Sequence, residues 1–113
     1  MSSTQSKRGL MLLDKWDQQW LTSVAMPALG IKQVNVTEDL EHKDKYPDIW
    51  VVGRTITLTQ AWKRYGRTAR RVHLLHELLH IYGLSHDSSI GFNSHPEKDR
   101  FSRNMMRLIE RGV

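Results

Sequence analysis

The chain has 113 residues, enough for one domain with a small core, and its 39% hydrophobic and 26% charged content excludes a disordered or membrane-embedded chain. It has no cysteine, which excludes disulfides, thiolate metal sites and thiol nucleophiles, so any metal must be held by nitrogen and oxygen. The net charge of +5 is partly concentrated in KRYGRTARR, where Lys63, Arg64, Arg67, Arg70 and Arg71 make five basic residues of nine.

Such a cluster can attract phosphates or acidic proteins, although the simpler reading is a solvated helix face. The first residues, MSSTQSKRG, lack an apolar core of signal-peptide length, and no apolar run can span a bilayer. The expectation is a cytoplasmic protein with no membrane partner.

In chain order, Leu13, Trp16, Trp20, Leu21 and Val24 recur at three- and four-residue steps. That predicts an amphipathic helix over about residues 9–26, stopped near Pro27 and Gly30, with Trp16 and Trp20 as core anchors. IKQVNVT, residues 31–37, is rich in β-branched residues and reads as a strand. The charged residues 37–48, with Pro47, read as an exposed loop carrying a surface histidine, His42.

Residues 49–59 form either two short strands or one strand broken at Gly53, with Ile56 and Leu58 on one face and Thr55, Thr57 and Thr59 on the other. After a turn or short helical connection, residues 70–82 are predicted helical, with an apolar stripe of Val72, Leu75, Leu79 and Tyr82. Gly83 ends that helix in a left-handed conformation. Ser94, Pro96 and Glu97 have the spacing of a helix start, with His95 as a helix-start residue, and Phe101, Met105, Leu108 and Ile109 form the stripe of a C-terminal helix. The whole is a small α+β single domain over residues 1–113: an N-terminal helix, a short twisted sheet, a helix ending at a glycine turn, and a C-terminal helix.

The helix ending at the glycine turn carries the chemistry. His76 and His80 lie four apart in HELLH, so both imidazoles share one face and can reach a single ion. Glu77 follows the first histidine and can take a proton from a metal-bound water and pass it to a leaving amine. Gly83 and His86 complete the pattern HELLHIYGLSH: the glycine ends the helix so that a third nitrogen can return to the ion. Three nitrogen ligands and a water make an open, catalytic kind of site, and imidazoles suit zinc. The bland alternative is a core helix with incidental histidines.

HELLHIYGLSHD resembles the consensus of the metzincin zinc metallopeptidases, over about a dozen residues. The resemblance implies peptide-bond hydrolysis in a peptide or protein substrate, with one zinc ion on His76, His80 and His86 and Glu77 as general base and acid. The chain is shorter than the usual catalytic domain of that family, which implies a minimal domain with a shallow cleft. The family pairs an extended substrate with an edge strand, for which Thr55, Thr57 and Thr59 in TITLT are the local candidates. It also carries a methionine in a tight turn below the metal. Met105 and Met106 are the candidates, although they fall within the C-terminal helix and are equally core methionines.

Asp87 can orient a ligand histidine through its ring N–H, or replace His86 as a ligand. His73 lies on the same side of the helix, three before His76. It reads as a residue supporting the site from behind or at the surface, and less readily as a fourth ligand. The three-histidine spacing also resembles that of the bacterial endoribonucleases that mature ribosomal RNA, where the basic stretch would suit nucleic acid. Glu77 sets the chain apart from that family. A third likeness, to small proteases that clear protein crosslinked to DNA, would join the two readings.

Overall fold

The computed structural model describes residues 9–43, 47–83 and 100–111, and for residues 100–103 and 110 the backbone alone. It is a small α+β domain with helices packed on one face of a three-stranded sheet.

The first helix, α1, spans residues 15–29 and has three parts: α-helical Lys15–Trp20, a π-helical turn Leu21–Ala25 and α-helical Met26–Leu29. It begins at residue 15 rather than 9 because Asp14 caps it, its side chain accepting the Asp17 N–H at 2.8 Å. Gly9 and Leu10 belong to a separate helical turn and residues 11–13 form turns, with Leu12 N–H on the Gly9 carbonyl at 3.0 Å. Pro27 does not stop α1. A proline lacks an N–H and crowds the carbonyl four residues back, and the wider π turn before it, in which the Met26 N–H reaches the Leu21 carbonyl, takes up the misfit. Gly30 is the stop, at φ 68° and ψ 21°.

Three strands follow: β1 (Asn35–Glu38), β2 (Ile49–Val52) and β3 (Thr55–Leu58). Their order is β1-β3-β2, with β1 parallel and β2 antiparallel to β3. Residues 49–59 are therefore two strands of a hairpin. Gly53 has φ 61° and Arg54 has no positive φ, the combination a type II′ turn needs. Val36, Ile49, Ile56 and Leu58 are buried on the inner face, while Thr55 and Thr57 are half-buried and Val52 is exposed on the other. Asp48 is not part of an exposed loop. It is buried at the start of β2, where its carbonyl accepts the Thr59 hydroxyl at 2.5 Å.

Helix α2 (Gln60–Lys63) is capped by Thr59, helix α3 (Arg67–Tyr82) carries the histidines, and helix α4 (Arg100–Glu110) closes the described chain. α3 packs on β2, on α4 and on α1, and α4 also meets the π turn. In α4, Met106 and Ile109 are buried and Leu108 is exposed, so the buried stripe passes through Met106 rather than Leu108.

The basic stretch is partly exposed, at Arg64 and Arg67, yet four of its five cations are engaged with other elements of the fold. Lys63 pairs with Glu38, Arg67 lies 4.5 Å over the Trp16 ring, and Arg71 lies 5.5 Å over the Trp20 ring. Arg70 Nε and Nη2 donate to Asp17 at 2.5 Å and Asp14 at 2.7 Å. Cations near a helix N-terminus oppose its dipole. Here three arginines at the start of α3 are drawn instead to acids and rings of α1, so the stretch works as a clamp between two helices. Arg67 also accounts for Trp16, which is 57% exposed and not a core anchor, whereas Trp20 is buried.

Candidate metal centre

Every residue from Val72 to Leu79 is buried, so α3 is a central helix and not the one-sided helix its pattern suggested. Tyr82, expected in the apolar stripe, is 58% exposed, because the last turn of α3 leaves the core. Buried among Leu74, Leu75, Leu78 and Leu79 are three polar side chains: His73 and His76, each 2% exposed, and Glu77, 5% exposed. A helix holds such residues deep inside only where they find partners or work to do.

His76 and His80 meet edge to face, with ring centroids 4.9 Å apart and planes at 80°. The four-residue spacing thus delivers two imidazoles to one spot, His76 fully buried and His80 half-buried. Glu77 lies on the same helix, and burial pushes its carboxyl up from the usual 4.5 to about 8. His73 is not at the surface. Its ring packs on Tyr65, centroids 4.8 Å apart and tilted by 52°.

The helix ends where the motif requires. The Gly83 N–H bonds the Leu79 and His80 carbonyls at 3.1 Å each, and its φ of 124° with ψ 3° lies beyond the left-handed helical well, in territory glycine alone enters easily. A Cβ there would meet nothing within 4 Å, so a side chain is opposed by the backbone and not by crowding. Gly83→Ala is accordingly expected to lower unfolding free energy by about 1–3 kcal/mol, read from denaturant midpoints.

His86, Asp87 and His95 lie outside the described residues. Among the described residues no three histidine, aspartate or glutamate side chains form a group able to hold a metal ion. The two imidazoles that are brought together are of a ligand type that suits zinc.

Two expectations need correction. β3 is the central strand, hydrogen-bonded to β1 on one side and β2 on the other, so Thr55, Thr57 and Thr59 cannot offer an edge to a peptide. Thr59 is instead a helix cap, accepting the Trp62 N–H at 3.3 Å. Met105 and Met106 lie within α4, so they form no tight turn; Met106 belongs to the core and Met105 packs against it.

Sequence reasoning missed the surroundings of His73. The Tyr65 hydroxyl donates to the Asp48 carboxylate, and the Tyr65 carbonyl accepts Arg70 Nη1 at 2.6 Å. Asp48 and Tyr65 sit in stretches that read locally as a polar loop and a basic connection, and neither has a periodic signal of burial. No helix among the described residues is long and apolar enough to cross a membrane.

Compared with models of protein families, with curated proteins and with solved structures, the chain matches none.

Proposed function

We propose that this domain is a small zinc-dependent hydrolase, a metallopeptidase of the metzincin type, in which His76, His80 and His86 hold one zinc ion. The observation that carries the reading is the edge-to-face pair of His76 and His80 on a helix that also buries the carboxyl of Glu77. A zinc ion held there would supply Lewis acidity, polarising a peptide carbonyl and making a water acidic enough to react near neutral pH. With the ion in place, Glu77 would serve as the proton carrier, base toward water and acid toward the departing amine. Its burial keeps bulk water from competing for that proton, and it directly follows His76 on α3.

An extended peptide needs a strand edge. With β3 filled on both sides, the edge that remains next to α3 is that of β2, Ile49–Val52. Pairing there would recognise backbone shape more than side chains.

The alternative is a metal-dependent endoribonuclease or nucleic-acid-associated protein using the same histidines. It relies on the basic stretch, in which Lys63, Arg67, Arg70 and Arg71 are engaged within the fold and Arg64 and Arg67 are exposed. The clamp therefore lends it no support.

Metal analysis of the purified protein, joined to a peptide-library digest with and without chelator, tests the proposal. One zinc per chain and cleavage that chelation stops and added zinc restores is the expected result. Bound zinc with no turnover of peptides would replace it with a structural zinc domain. RNA cleavage without peptidase activity, at an affinity falling steeply with salt, would favour the alternative.

A further inference from the structure

We infer that the chain of contacts Asp48–Tyr65–His73 sets the rotation of α3 about its own axis, so that Tyr65 and His73 are positioning residues for the zinc site; the inference rests on the function proposed above. Apolar side chains surround α3 through Val72, Leu74, Leu75, Leu78 and Leu79. Contacts of that kind are non-directional and tolerate rotation and sliding. A helix whose ligands must point one way needs a directional contact as well. His73 provides one, lying three residues before His76 and four before Glu77 and therefore on their side of the helix.

The chain beneath His73 is fixed at each link. Its ring rests on the Tyr65 ring at 4.8 Å. Tyr65 lies in the short connection between α2 and α3, and is held at both ends: its hydroxyl by the Asp48 carboxylate, its carbonyl by Arg70 at 2.6 Å. Asp48 is itself buried at the head of β2, the strand on which α3 packs, and its carbonyl is tied to Thr59 at 2.5 Å. The sheet thus reaches the ligand face of the helix through one tyrosine. Phenylalanine at position 73 would fill the same space without burying a polar ring, which is why a histidine there points to orientation more than to packing.

The test is Tyr65→Phe, which keeps the ring on His73 and removes only the hydroxyl. Zinc affinity is measured by competition with a chromophoric chelator, and the His76 and His80 imidazole resonances are followed in the metal-free protein. Expected are a loss of zinc affinity of about 10- to 100-fold and shifted resonances for both rings. Val36→Ala, a core truncation in β1 away from the chain, controls for lost stability and should bind zinc as the parent does. If Tyr65→Phe fails to fold, His73→Phe replaces it under the same criteria. A folded variant with unchanged resonances and zinc affinity within about threefold of the parent overturns the inference while leaving the hydrolase reading intact. A parent protein that binds no zinc overturns both.

Discussion

Glu77→Gln is expected to keep bound zinc and to slow peptide hydrolysis by about 10²–10⁴-fold, the range that general acid–base catalysis supplies. Glutamine preserves the size of the side chain in its leucine-walled surroundings and removes only its ability to carry a proton. Kinetics on a cleavable peptide, with zinc content checked in parallel, decide the matter: an undiminished rate in the zinc-loaded variant would remove Glu77 from the mechanism. The same substitution has a second signature in the metal-free protein. Burial raises the Glu77 carboxyl to about 8 in the folded state from an ordinary 4.5. The folded state therefore binds its proton more tightly than the unfolded state does. The stabilisation is fully present below about pH 4.5 and is lost as pH rises through 8, with a ceiling of about 5 kcal/mol. Denaturant unfolding of the metal-free parent should weaken across that window, and Glu77→Gln should flatten the dependence. A cation beside the carboxylate favours its charged form, so added zinc should shrink the slope in the parent. A parent whose metal-free stability is level from pH 5 to 8 would contradict the burial of a carboxylate at this position.

What could be read in advance was what depends on neighbours along the chain. The pairing of His76 with His80 follows from helical spacing, the end of α3 follows from Gly83, and the alternation of Ile56 and Leu58 with Thr55 and Thr57 follows from the strand period. What could not be read depends on contacts made across the chain. TITLT has the composition of either an edge or a centre; its place between β1 and β2 is decided by a parallel pairing of Val36 with Ile56 that crosses the intervening strand. Trp16 and Trp20 share a helical face, yet only Trp20 reaches the core, and Trp16 stays exposed with Arg67 over its ring. Met106 replaces Leu108 in the stripe of α4 because α4 is turned by the way it seats on α3 and the π turn, which no local pattern records. The basic stretch misleads for the same reason. Five cations in nine residues look like a surface until the partners of four of them, tens of residues away, are known.

Arg70→Met is expected to be the most destabilising single change in the clamp, costing about 3–5 kcal/mol at neutral pH. Asp17 is 1% exposed, and its Oδ2 depends on Arg70 Nε at 2.5 Å, a contact between residues 53 apart in sequence. Burial already pushes the Asp17 carboxyl up despite Arg70 beside it, while its Oδ1 and the nearby Trp20 Nε1 are buried without hydrogen-bond partners. Without the guanidinium the carboxylate is stranded. Its pKa rises further, so the folded state gains by protonating it. The variant's deficit should then be smallest at acid pH and grow as pH rises through the folded-state value. Asp14, half-exposed at the other end of the fork, contributes little by comparison. The pair is imperfectly satisfied, so removing both members should be far milder than removing one. Asp17→Leu combined with Arg70→Met is expected to recover most of the loss. Denaturant midpoints of the parent, both single variants and the double variant form the cycle that measures the coupling. Simple additivity, with the double variant as unstable as the two single losses combined, would show that the clamp holds α1 to α3 through its arginine–tryptophan stacks and not through the buried ion pair.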